Sequence, residues 1–253
     1  MVRAVAVAAL LCVGSVARAQ IFNVQPLLDQ QTHAGFSGAV EGALDWHTGN
    51  TTLTLVSGSA HLQWHRDPQL VYLALHAELG TTAGVEAVSK DLEHLRYRIR
   101  LTRVVAAEAF VQHDADAFRR LAVRAVTGAG VRLRIVEGKR VTFAVAAAYM
   151  LEYERLALGM FADSGAATLD HRLSTYAVVA VTAKHVLIAH TVYAQPRFDD
   201  FHDVRMLGDS SLSLIVTKHL SVKFSVTITL DTEPPDGVLP VDTDVKSSLV
   251  GSF

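Results

Sequence analysis

Residues 220–231 read LSVKFSVTITLD. Leu220, Val222, Phe224, Val226, Ile228 and Leu230 fall on one side of an extended chain, and Ser221, Lys223, Ser225, Thr227, Thr229 and Asp231 on the other. No helical period accommodates the run, so it reads as a β-strand with one apolar and one polar face. Further out, Val71, Leu73, Leu75, Ala77 and Leu79 alternate with Tyr72, Ala74, His76 and Glu78, and Leu95, Tyr97, Ile99 and Leu101 with His94, Arg96, Arg98 and Arg100. Along the whole chain the pattern gives twelve strands, near 36–46, 51–64, 70–79, 92–102, 104–112, 118–136, 141–154, 171–182, 185–194, 202–216, 220–231 and 241–253, with ten or fourteen as alternatives. In the second, Leu53 and Leu55 are out of phase with Val56, Ala60, Leu62 and Trp64, which points to a bulge or a later start.

Half the residues are hydrophobic, yet beyond the N-terminus no run approaches the ~18 apolar residues of a membrane helix; the longest, Val141 to Leu151, is interrupted by Thr142. In hydrocarbon the backbone must satisfy its own polar groups, which leaves a closed barrel. The spacing fits one that begins and ends in the periplasm. Connections after even-numbered strands are short (65–69, 103, 137–140, 183–184, 217–219), and those after odd-numbered strands mostly longer (80–91, 113–117, 155–170, 195–201, 232–240), 47–50 excepted. A water-soluble, lipocalin-like barrel would alternate too, but its core needs large side chains, and here the apolar face carries Gly38, Gly42, Ala107, Ala109, Ala125, Ala147 and Ala177. Phe36 and Trp46 bracket the first strand on one face, a tilted span of about 25 Å, the height of an outer-membrane apolar band. The reading is all-β: a membrane-spanning antiparallel up-and-down β-barrel, apolar side to lipid. The terminal Phe253, in phase with Val245 and Leu249, is the expected signal to the barrel-assembly machinery.

The N-terminus reads as an export signal. Arg3 precedes the apolar run Ala4 to Val13, and Ala17-Arg18-Ala19 has the small-x-small form of a cleavage site before Gln20. Cys12, the single cysteine, follows Leu11 where a lipoprotein site needs a small residue. The expected organisation is a signal peptide over 1–19, a periplasmic segment over 20–34 and one barrel over 35–253. Removing Arg3 and Arg18 leaves 21 basic against 25 acidic residues, a sign that argues against nucleic acid as a partner.

Two stretches resemble a known family. Phe110-Val-Gln-His-Asp-Ala-Asp-Ala-Phe-Arg-Arg-Leu121 is followed by Arg124, Gly128-Ala-Gly130, Arg132 and Tyr149-Met-Leu-Glu-Tyr-Glu154. Gln195-Pro-Arg197 and Asp203-Val-Arg205 precede the Leu220 strand, Asp231-Thr-Glu-Pro-Pro-Asp-Gly237 and Asp242. Together they resemble the salt-induced outer-membrane protein family, also called domain of unknown function 481. The resemblance implies an outer-membrane barrel without established enzymatic activity, cofactor or catalytic residues.

The residues themselves give no catalytic site, metal site or cofactor. A lipid hydrolase would need a Ser and a His on the outer face; His113 after the fifth strand and Ser164 in the longest loop are the candidates, with no third group to orient the His. Of twelve His, only His61 and His65 are closely spaced, and on a strand they stand ~13 Å apart, too far to share an ion. Asp199, Asp200 and Asp203 could hold a divalent cation but read as a solvated loop. The informative constellation is the lumen face. Arg96, Arg98, Arg100, Arg120, Arg124, Arg132 and Arg134, with Glu108, Glu152 and Glu154, form a basic wall. Asp203, Asp209, Asp231, Asp242, Asp244, Glu41 and Asp45, with Arg205, Lys223 and Lys246, form an acidic one. Facing each other across water, the walls would make a small channel for polar solutes; paired across the lumen, they would plug a structural or surface barrel. The expected partners are outer-membrane lipid and, during biogenesis, the assembly machinery. The mature chain is predicted to begin at Gln20, and N-terminal sequencing of membrane-extracted protein that returned Met1 or an acylated Cys12 would refute this.

Overall fold

The computed structural model describes residues 34–47, 53–82 and 85–253. It contains twelve strands: β1 (Gly35–His47), β2 (Leu53–Arg66), β3 (Gln69–Thr82), β4 (Val85–Arg100), β5 (Val105–Asp116), β6 (Leu121–Glu137), β7 (Val141–Leu156), β8 (Ala167–Ala183), β9 (Val186–Pro196), β10 (Val204–Thr217), β11 (Leu220–Asp231) and β12 (Val241–Ser252). Each pairs antiparallel with its neighbours in sequence, and β12 returns to β1 to close the barrel. The expected signal peptide, and all of the 20–34 segment but Ala34, lie outside the described residues, as does the side chain of Trp46.

The faces follow the alternation. Phe36, Val40, Leu95, Tyr97, Val226, Ile228, Val245 and Leu249 are exposed on the outer wall, while Arg96, Arg98, Arg124, Glu152 and Asp231 are buried inside. In water this arrangement would leave a continuous apolar surface; in lipid it is what the solvent requires. The turns at 67–68, 101–104, 138–140, 184–185 and 218–219 share one end with both barrel termini, the end that the short-turn pattern of outer-membrane barrels assigns to the periplasm. The connections at 117–120, 157–166, 197–203 and 232–240 stand at the other, outer end.

Three local features depart from the sequence reading. The expected 80–91 loop is mostly strand: β3 and β4 run on to Thr82 and from Val85, with Glu78 opposite Lys90 as an oppositely charged cross-strand pair and a register shift at Gly80/Thr81. Of the two expectations for β2, a bulge is absent among the described residues, since the register runs unbroken against both β1 and β3, and the strand begins at Leu53, later than 51. Leu55 instead faces inward and lies over Gly80, where its methyl stands 2.9 Å from the position a Cβ would take. Third, β6 begins at Leu121 rather than 118, since Ala117–Arg119 form a 3₁₀ turn and Arg120 takes φ 61°.

The closing seam is short. β1 and β12 pair over four residues, from Ala39↔Ser252 to Gly42↔Leu249. Gly38 and Phe253 extend this by exchanging two backbone hydrogen bonds of 3.0 Å. The Phe253 ring lies across Gly38, where a Cβ would stand 2.5 Å from the ring Cζ; only glycine lets the terminal aromatic settle against the first strand.

The faces can be tested by charge. Val226→Arg puts a cation into the lipid-facing belt at a cost of roughly 2–4 kcal/mol. Thr227→Arg points inward beside Asp209, which accepts a hydrogen bond from Thr227, and is expected to fold. Equal yields of heat-modifiable barrel from the two variants would refute the assignment.

Candidate functional site

The lumen is where the fold gathers its chemistry. Because β-strand side chains alternate, inward positions of β4 to β11 present His94, Arg96 and Arg98, then Glu108 and Asp114, Arg124 and Arg132, Glu152 and Glu154, Arg172 and Tyr176, and finally Arg205 and Asp231 to one interior, all of them buried.

Glu152 is the hub. Its side chain is fully buried, and three guanidiniums converge on it. Arg124 on β6 donates from Nη2 (2.5 Å) and Nε (2.8 Å) to Oε2. Oε1 accepts from Arg205 Nη1 on β10 (2.5 Å) and Arg172 Nε on β8 (3.2 Å). Each arginine has further carboxylates. Arg172 donates to both oxygens of Asp203 (3.0 and 3.1 Å), which also accepts from Arg197 (2.8 Å). Arg205 reaches Glu154 (3.0 Å) and Asp231 (3.2 Å), and Arg124 stands 3.7 Å from Asp114. Toward the periplasm lies a second layer, in which Glu108 accepts from Arg96 (3.0 Å), Arg98 (2.6 Å) and Tyr176 Oη across the lumen (2.9 Å). The Arg96 guanidinium lies 5.1 Å from the Phe110 ring centre, and that ring occupies the space left by Gly128. On the opposite side Lys223 on β11 binds Glu41 on β1 (3.0 Å), and Lys246 on β12 binds Glu78 on β3 (2.6 Å).

Glu108 and Glu152 stand among the arginines of the basic set, as expected, and Arg205 crosses from the acidic set to join Glu152, so the two sets interlock. The hub unites acids and bases of both expected walls, and adds Arg172 and Asp114, which the sequence reading did not single out, while Arg119 pairs beside it with Asp116. Arg172 had a signal, since it shares one face of β8 with Ser174 and Tyr176.

Other expected site residues stand elsewhere. Arg120 belongs to the outer rim rather than to the lumen. It donates to Asp163 (2.6 Å), Ser164 Oγ (3.0 Å) and the Asp236 carbonyl (2.7 Å), and lies 4.1 Å from the Phe161 ring centre. That clamp ties the 157–166 and 232–240 connections together, and the Arg120 hydrogen bond holds the Asp163 carboxyl below its ordinary pKa. Arg100 and Arg134 sit at the periplasmic mouth, paired with Asp67 and Glu137.

The catalytic and metal candidates do not assemble. His113 lies on β5 rather than in a loop and pairs with Glu93 on β4 (2.8 Å), while Ser164 is held by Arg120. His61 Nδ1 bonds Tyr72 Oη (2.7 Å). Asp203 is taken up by Arg172 and Arg197, Asp199 by Arg197 (2.6 Å), and Asp200 by the backbone of its own turn. Asp91, Glu93 and His113 bring three exposed donor atoms within 4.8 Å of one another on the outer face, an arrangement common without an ion.

The family model described as "Protein of unknown function, DUF481" matches residues 40–253. No curated protein matches the chain. Among solved structures, the NanC porin aligns at TM-score 0.51 and 10% identity, covering 85% of this chain and 98% of that one. The translocator domain of the autotransporter NalP from Neisseria meningitidis (0.48, 9%, 89% and 90%) and the KdgM porin (0.47, 10%, 86% and 99%) are more distant. At such identities the likeness is one of fold: a porin-type outer-membrane barrel.

Glu152→Gln tests the hub. Removing a buried charge that serves three arginines is expected to cost ~3–5 kcal/mol, toward the lower end because each arginine keeps another carboxylate. Arg134→Gln, which breaks a pair with an exposed Glu137, is expected to cost under about 1 kcal/mol. Coinciding urea midpoints for the two variants would contradict the hub.

Proposed function

The chain belongs to the DUF481 family, whose description names no activity, and from its interior we propose that it is an outer-membrane barrel with its lumen closed by a buried ion-pair plug. The observation that carries this reading is the Glu152 hub: Arg124, Glu152, Arg172 and Arg205 reach inward from β6, β7, β8 and β10 to a common centre, each side chain at most 7% exposed. Charges inside a water-filled pore are solvated and need no partner within 3 Å. Charges this dry need one another. The barrel's role is then to sit in the outer membrane as a rigid, sealed wall element that presents its outer connections, rather than to pass solutes at rest. Its placement in that membrane, after removal of the export signal, is supported by the apolar outer face and the porin-type fold. Rigidity of the presented surface is supported by the Arg120 clamp, which fixes two outer connections to each other.

A channel for polar solutes is the second reading. It is supported by twelve strands, a number between those that fill their interior and those that leave an aqueous pore, and by the porin likeness. Planar-bilayer recording of refolded protein separates the two. The closed reading predicts no steady conductance for the wild type, and brief openings after Glu152→Ala with Arg205→Ala, which removes the crossing pair. Steady ohmic conductance with the hub intact would overturn it.

A further inference from the structure

At the periplasmic end the lumen holds a cavity of about 110 Å³. A buried water needs only about 10–15 Å³ by this kind of measure, so there is room for several waters or one small solute. The register explains why it is there. Arg100 on β4, Ala106 on β5, Arg132 on β6 and Ala146 on β7 stand side by side in one row across the sheet. Two long cationic side chains thus flank a position occupied only by a methyl group. Adjacent strands lie ~4.8 Å apart, which sets the two arginine Cα atoms roughly 10 Å from each other, a span that two guanidiniums can close on a single ligand. One pleat along β4 and β6, Arg98 and Arg134 reach the same cavity.

The charge balance favours an anion. Four guanidiniums line the cavity against two carboxylates, Asp67 and Glu137, and the third carboxylate close by, Glu108, is shared by Arg98 and Arg96, so cations still outnumber acids. Asp67 and Glu137 pair with Arg100 and Arg134 at the mouth, and each is 63% exposed. Arg98, which shares Glu108 with Arg96, and Arg132 are 5% and 2% exposed, so the net positive charge of this end lies within a low-dielectric wall where solvent screens it little. Planar forked donors arriving from two strands match the oxygens of a tetrahedral or trigonal oxyanion.

We infer that this cavity is a binding site for a phosphate-type oxyanion, entered from the periplasm and gripped between the arginines of β4 and those of β6. The site lies at the mouth and needs no open lumen, so it stands apart from the closed-barrel reading. The phosphate can be a free ion or the headgroup of an anionic lipid.

The test is calorimetric titration of the full-length mature barrel in detergent with inorganic phosphate, against sodium chloride at equal ionic strength, and separately with phosphatidylglycerol micelles. Saturable phosphate heat that chloride does not reproduce is expected. Arg100→Gln with Arg134→Gln is expected to weaken affinity about tenfold or more, the loss of one charge-assisted hydrogen bond. These two side chains pair only with exposed acids, so the replacements bury no orphan charge. Should that variant not fold, Asp67→Asn with Glu137→Gln supplies the converse test, since removing the competing carboxylates is expected to tighten binding. Saturation by lipid alone, lost in the arginine variant, supports the site with a headgroup as its source. Absence of saturable binding in both arms, or affinity indifferent to all four substitutions, overturns the inference.

Discussion

Everything in this barrel descends from the requirement that no backbone N–H or C=O be left open to hydrocarbon. The requirement makes the sheet close, and closure of an up-and-down sheet with both ends on one side takes an even number of strands. Closure also divides every strand into residues that see lipid and residues that see the interior. Once the outer set has been spent on Leu, Val, Phe and Ala, most of the charge the strands carry must go inside. The interior of this protein is polar for the same reason that the interior of a soluble one is not.

What the chain does with that enforced charge is a separate matter. Inward charges could have been spaced around water. Instead Glu152 collects three arginines from three strands, Asp203 collects two, and Glu108 collects two together with a tyrosine hydroxyl. Ion pairs as dry as these add little net stability, because each member gives up its hydration. Their effect is to make alternatives expensive: a shift of one strand past its neighbour would leave a charge stranded. The hub acts as a register lock as well as a plug.

The fold was largely legible because period two survives every local disturbance in this chain. Twelve runs could be read from residues such as Val222 to Leu230, and their faces with them. Pairing inside the lumen was less legible, since parity says that Arg124 and Glu152 both point inward but not that Arg205, three strands further on, reaches the same carboxylate. That depends on side-chain length and on how strands stagger around the barrel. Arg120 illustrates a different limit. Its place beside Arg119 looked like strand, but a 3₁₀ turn and a positive φ swing it outward to the loops, and Arg119 turns in towards Asp116 instead. The extension of the β3–β4 hairpin beyond Leu79 was missed because Gly80 reads as the start of a loop, while the Glu78–Lys90 pairing that supports it depends on the register of two strands.

The brevity of the β1–β12 seam has a mechanical meaning. Neighbouring strands elsewhere are stitched along most of their length, whereas this pair is registered from Ala39 to Gly42 and finished by the mutual bonds of Gly38 and Phe253. Opening free energy scales with what must be broken, so the wall parts first along this line. The phenylalanine resting on Gly38 is thus the clasp of a necklace: it carries little of the weight and fastens one end of the circle to the other.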